Sequence, residues 1–229
     1  MSDHRPTRPV EGFAEGPRMI IAVDGPAASG KGTIARALAA HYGLPHLDTG
    51  LLYRAVALTL KRAEGDGESE ADAEAATRFP DSLLGDPELR SEATGALASR
   101  VSAYPSVRAA LMERQRAFAA RPEGAVLDGR DIGTVIAPDA HAKLYVVASA
   151  RVRAERRAAE MAGRGLAADV DAIEVEIAAR DARDSGRSNA PLTRAADADL
   201  LDTSLLSIEQ AIQRAIALVD ARMERHRTG

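Results

Sequence analysis

The 229-residue chain contains no cysteine and no tryptophan, and it has only three phenylalanines and four tyrosines. Without cysteine there can be no disulfide, no thiolate metal site and no cysteine nucleophile, a composition that suits the reducing cytoplasm, where the chain is expected to act. So few aromatic rings leave little to stack nucleobases on. The net charge of −4 and the lack of a basic tail argue the same way, so no nucleic-acid partner is expected. No run approaches the ~20 apolar residues that a membrane span needs, which predicts a soluble protein with no membrane partner. Residues 1–18 mix arginines, prolines and acids without an apolar run of signal-peptide length, and they read as a disordered N-terminal tail. What is present is apolar content of 45%, enough to bury a full core in one α/β domain with subdomains, here residues 19–229.

Strand signals recur at 19–24, 125–128, 143–148 and 199–202, with helix-like segments between them. That alternation predicts a parallel sheet with helices on both faces, a three-layer α/β fold. Ligands of such sheets sit beyond the carboxyl ends of the strands, so chemistry is expected after Asp24, Asp128, Ala148 and Asp202. Residues 61–98 are rich in acids, alanines and turn formers and read as an insertion with its own small structure. A long amphipathic helix follows within 98–120. Residues 151–182 read as two helices broken near Gly163-Arg164-Gly165. The last helix is predicted from Ser207, where Gln210 completes a capping box, to about Arg225. There is no internal repeat.

The apolar run 19–24 leads directly into Gly25-Pro26-Ala27-Ala28-Ser29-Gly30-Lys31-Gly32-Thr33, and helical text follows. Glycine permits the backbone turn that lines up successive N–H groups on an anion, the helix N-terminus adds partial positive charge, and Lys31 adds a full one. The order strand, glycine-bounded loop, helix makes this a phosphate cradle rather than a merely glycine-rich turn. The usual GxxxxGK[ST] loop has a hydroxyl right after the lysine; here Gly32 intervenes before Thr33. This GKGT ending resembles that of the nucleoside-monophosphate kinases.

Other segments are weaker taken singly. Leu47-Asp48-Thr49-Gly50-Leu51-Leu52-Tyr53-Arg54 is a turn before a helix, and an arginine there is usually a solvated charge. Asp128-Gly129-Arg130-Asp131 crowds charges into a turn at a strand end, an arrangement that favours function. Arg180-Asp181-Ala182-Arg183-Asp184 could be ion pairs along an exposed helix, and Arg151, Arg153, Arg156 and Arg157 a solvated helix face. Together, however, these blocks resemble the bacterial cytidylate kinases from about Met19 to the last helix. The matching text is GPAASGKGT, LDTGLLYR, ASRVSAYPSVRAALMERQRAF, LDGRDIGTVIAPDA, RDARDSGR with NAPL, and LLDTSLLSIEQAI, and the pairing of DGRDIGT with RDARDSGR is the specific part.

The resemblance implies a P-loop fold and transfer of the γ-phosphoryl group of ATP to CMP or dCMP. Lys31 and the loop would hold the ATP phosphates, with Ser29 or Thr33 helping to place Mg²⁺. The acceptor phosphate would be gripped by residues matching Arg54, Arg130 and Arg187, and the cytosine read by Ser99, Arg108 and Asp131. Arg180 and Asp184 would meet the sugar, and Thr49, Tyr53 and Asp128 border the same substrate. Arg153 and Arg157 fall in the family's mobile lid, 151–182, whose arginines close over the transferring phosphate. The family is usually monomeric. One departure is visible: the insertion between Arg54 and Ser99 is short for the family and lacks alternating strands. The same chemistry on UMP, AMP or dTMP is the nearest rival, and an inactive ATP-binding module is a second. A GTPase is disfavoured by the lack of an NKxD-type guanine reader, and an ABC-type ATPase by the lack of an LSGGQ-like segment.

Overall fold

The computed structural model describes residues 19–228, and the predicted N-terminal tail lies outside the described residues. Five strands form one wholly parallel sheet: β1 (Ile20–Asp24), β2 (His46–Asp48), β3 (Ala125–Gly129), β4 (Ala142–Val147) and β5 (Asp199–Asp202), in the order β2-β3-β1-β4-β5. β1 is central, with Ile21 beside Val126 on one neighbour and beside Ala142 on the other. All five of its residues are buried, as expected for a parallel strand covered on both faces.

Strand periodicity assigns the two faces. Ile21 and Val23 pack with Ile34 and Leu38 of α1 (Lys31–Tyr42) and with Ala211, Ala215 and Val219 near the C-terminus. Ile20 and Ala22 face the other way, towards Ile132, Ile136 and Ala119. The expected three layers are present.

The sheet's edge carries a helical subdomain. α2 (Thr49–Arg62), α3 (Glu70–Ala75), α4 (Glu92–Val101) and the first turns of α5 (Pro105–Ala119) enclose their own core around Leu52, Val56, Leu58, Leu97 and Leu111. Between α3 and α4 the chain makes two short 3₁₀ turns, and no strand occurs from 61 to 98 among the described residues. α6 (Ala150–Ala162) and α7 (Val170–Ser185) form a hairpin joined through Ala154, Ile173 and Ile177, with the break where glycine spacing places it. α8 (Ile208–Thr228) opens on the capping box: Ser207 N–H donates to Gln210 Oε1 at 2.9 Å, and Gln210 N–H to Ser207 Oγ at 3.2 Å.

β2 is a departure from the sequence reading, which took this stretch as a turn. It is three residues long and is held on β3 by His46 Nε2, 2.7 Å from Asp128 Oδ1. Its consequence is positional: it delivers Asp48 and the start of α2 to the carboxyl edge of the sheet.

Candidate active site

The cradle follows β1 without a spare residue. Gly25 has φ +153°, and a Cβ there would lie 2.1 Å from the Val146 carbonyl oxygen, so no other residue fits. Ala28 occupies the left-handed region at φ +60° and Gly30 at +88°. Gly30 caps α1, accepting from the Thr33 and Ile34 N–H groups at 3.1 Å, which leaves Lys31 on the first helical residue at the positive end of the helix dipole. Ser29 is fully buried, and its Oγ has no hydrogen-bond partner. Its carbonyl accepts from Thr203 Oγ1 at 3.0 Å.

Two cavities adjoin this loop. The first, of about 600 Å³, is lined by residues 28–34, Arg36, Arg156, Thr203, Leu206, Ile208 and Ala211. The glycine-rich loop backbone therefore stands at one side of this cavity and an apolar wall of Leu206, Ile208 and Ala211 at the other. Arg156 donates to Thr203 Oγ1 at 3.0 Å and to the Thr203 carbonyl at 2.7 Å, which fixes α6 against the β5–α8 turn.

The second cavity, of about 310 Å³, shares Ala28, Lys31 and Glu160 with the first. It collects Thr49, Tyr53, Arg54, Ser99, Arg108, Asp128, Arg130, Asp131, Arg157, Arg180, Asp184 and Arg187. Three arginines surround the buried Asp184: Arg130 Nε donates to its Oδ2 at 2.9 Å, Arg187 Nη1 lies 3.9 Å from its Oδ1, and Arg180 Nε stands 4.0 Å from its Oδ2. Arg54 Nη1 donates to the Leu89 and Ser91 carbonyls at 2.7 and 3.3 Å, joining the helical insertion to the cavity. At the far end the buried Arg108 and Asp131 form an ion pair over Tyr53, and the Ser99 hydroxyl is buried without a partner.

Nine cationic side chains line this second cavity against six carboxylates. The surplus of three charges is the electrostatic signature of a site built for a polyanion. Burial, and then Arg130, lower Lys31 to about 8. Burial and Arg130 likewise lower Arg180 to about 10, and burial lowers Arg54 and Arg187. A bound phosphate would reverse each of these shifts. Burial alone would raise Asp184, but Arg130, Arg187 and Arg180 outweigh it and hold the carboxylate ionised. Asp24, at the end of β1, is raised to about 6 by burial although it accepts from the Ile132 and Gly133 N–H groups at 2.8 and 2.7 Å. It anchors the DGRDIGT turn from beneath rather than lining either cavity.

Arg153 does not reach either cavity. It is buried on the inner side of α6 and is occupied by Asp181 and by backbone carbonyls. Arg157, by contrast, reaches across the second cavity to an ion pair with Glu92 of α4. Sequence reasoning passed over Asp48, Arg90, Glu92 and Arg164 in the second cavity and Thr203 and Leu206 in the first, and it placed Arg156 only on the helix of the lid. Asp48 sits in the quoted LDTG block, and the missing signal there was β2. Arg90 and Glu92 carry none, since nothing local tells an exposed insertion from a cavity wall.

A glycine-bounded loop between strand and helix at the carboxyl edge of a parallel sheet, with its lysine bordering a second, cation-rich cavity, defines the class as a P-loop phosphotransferase. The model of the cytidylate kinase family matches residues 21–221. The chain is 59% identical over 205 residues to cytidylate kinase from Methylobacterium sp. (strain 4-46), covering 89% of this chain and 98% of that protein. It is 57% identical over 204 residues to cytidylate kinase from Rhodopseudomonas palustris (strain HaA2), covering 89% and 96%. The chain belongs to the cytidylate kinase family. Among solved structures, an uncharacterized protein from Eubacterium ventriosum shares the fold alone, with a TM-score of 0.53 at 15% identity over 89% of this chain and 99% of that one.

Proposed function

We propose that the two cavities divide one reaction between them: the larger holds ATP and the smaller holds the acceptor. The overall reaction, γ-phosphoryl transfer from ATP to CMP or dCMP, goes with family membership. The observation that carries the division is the position of Lys31, which borders both cavities beside the cradle. An acceptor phosphate oxygen attacks the γ-phosphorus there, a new P–O bond forms as the bond to the β,γ-bridging oxygen breaks, and ADP leaves. Such transfers need positioning and cationic stabilisation of equatorial oxygens more than covalent help from the protein. The acceptor phosphate is already a nucleophile, so no protein base is required.

In this reading Lys31 and the 25–33 N–H groups hold the donor phosphates, and Arg54, Arg130 and Arg187 grip the acceptor phosphate. Arg157 exchanges Glu92 for the transferring group when α6 and α7 close. Arg180 and Asp184 meet the sugar. The partnerless Ser99 hydroxyl, Arg108 and Asp131 read the cytosine edge, where an amino donor lies next to acceptors. In this reading Mg²⁺ would enter with ATP. The buried, unsatisfied Ser29 Oγ and the Thr33 hydroxyl suit a cation carried on phosphates. Mg²⁺ would neutralise charge on the bridging phosphates. The chain is read as a monomer, as the family resemblance implies, and a reaction on free nucleotides and ATP belongs in the cytoplasm. Among the described residues no helix is long and apolar enough to cross a membrane.

Phosphorus NMR of a mixture of the protein, ATP, CMP and Mg²⁺ tests the scheme. Paired growth of CDP and ADP signals is expected, whereas ADP with inorganic phosphate and no CDP would refute it.

A further inference from the structure

Arg153 spends its whole guanidinium inside the protein. Nε donates to the Ala148 carbonyl at 3.0 Å, Nη1 donates to the Ala27 carbonyl at 3.2 Å and to Asp181 Oδ1 at 3.1 Å, and Nη2 bonds the other Asp181 oxygen. The residue is only 5% exposed, so its charge lies on the inner face of the lid, out of solvent and compensated by these partners. One of them belongs to the phosphate cradle. The remaining two fix where the guanidinium stands, at the end of β4 and on α7.

The described peptide bonds are all trans, and in a trans peptide the C=O and N–H point to opposite sides. A carbonyl of Ala27 turned towards Arg153 therefore turns the N–H of Ala28 away from it. Ala28 borders both the donor and the acceptor cavity. Its φ of +60° is disfavoured for a residue with a Cβ, so the local backbone does not hold this orientation unaided. A flipped 27–28 peptide would present a carbonyl oxygen, not an N–H, to the phosphates.

We propose that Arg153 is a positioning residue of the donor site: by binding the Ala27 carbonyl it holds the Ala27–Ala28 peptide with its N–H facing the ATP phosphates. It acts on transfer through that peptide rather than by touching the phosphoryl group. Asp181 serves to aim Arg153, and so joins α7, next to Arg180 of the acceptor cavity, to the cradle. This inference rests on the reading of the cradle as the ATP site.

The test is calorimetric titration with β,γ-imido-ATP and, separately, with CMP, on the wild type, Arg153→Met, Arg153→Lys and Asp181→Asn. Arg153→Met is expected to weaken the ATP analogue by at least about ten-fold, the loss of one charge-assisted hydrogen bond, with CMP within about two-fold. Lysine reaches the carbonyl with one donor and should restore part of that loss. Asp181→Asn leaves the bond to Ala27 and should cost the analogue less than Arg153→Met does. Unchanged analogue binding by Arg153→Met overturns the inference alone, as do equal losses for analogue and CMP, or an Asp181→Asn effect as large as that of Arg153→Met. A wild type that binds no analogue overturns the donor-site reading as well. Should Arg153→Met not fold, Arg153→Lys carries the comparison: a loss for the analogue only is expected, and equal losses refute it.

Discussion

Asp131→Asn separates base recognition from phosphate chemistry. Asp131 and Arg108 are buried together, with side chains 7% and 5% exposed, at the far end of the acceptor cavity. Asparagine keeps the shape and one acceptor for Arg108 but removes the charge that, in the proposed scheme, receives the cytosine amino group. A hydrogen bond to a charged group contributes about 1.5–3 kcal/mol. At about 1.4 kcal/mol per decade this predicts a loss of roughly 10- to 150-fold in kcat/KM for CMP. Asp131 does not border the donor cavity, so KM for ATP should stay within about two-fold. Removing one partner of a buried pair outright costs about 3–5 kcal/mol of stability, and asparagine, which retains an acceptor, should cost less. A coupled ADP-release assay, varying CMP at saturating ATP and then the reverse, reads both constants. Equal losses for the two substrates, or an unaltered CMP term, would refute the assignment of this end of the cavity to the base.

Lys31→Met should lower turnover by about 10²- to 10³-fold, as loss of a preorganised charge does, yet raise the melting temperature of the ligand-free protein at pH 7. The folded state pushes Lys31 from 10.5 to about 8, chiefly by burial, so between those values the unfolded chain holds more protons and the wild type gains stability as pH rises. The variant should lack that gain in urea titrations at pH 7 and 10; a less stable variant at pH 7 would contradict the burial argument. From the same shift, kcat/KM for ATP in the wild type should decline above about pH 8 as free enzyme loses the Lys31 proton. A flat profile to pH 10 would count against it. Gly25→Ala would set a methyl 2.1 Å from the Val146 carbonyl, and overpacking of this kind costs about 1–3 kcal/mol or more. Thermal melts should register the loss, and unchanged stability would contradict the backbone fit described for the cradle.

The parts of the molecule that sequence disclosed are those whose causes are local. β1 and the cradle are contiguous, and the Ser207 to Gln210 box carries both halves of its own hydrogen bonding. Asp131 and Arg108 were legible as a pair only through resemblance, since 23 positions separate them and their meeting depends on how α5 packs beside β3. β2 was missed because three residues with polar ends carry no strand signal, and its place is set by β3 instead. Arg153 shows the limit most clearly. It lies three and four residues before Arg156 and Arg157, so spacing puts all three on one side of α6. Which of them is buried depends on Ala27 and Asp181, 126 and 28 positions away.

In the proposed scheme the acceptor cavity is shaped for a cytosine nucleotide while the cradle holds ATP. Initial rates with ATP and Mg²⁺ over CMP, dCMP, UMP, AMP and dTMP test it most directly. CMP and dCMP should have the highest kcat/KM of the panel, through Ser99, Arg108 and Asp131. A higher value for UMP, AMP or dTMP would contradict it.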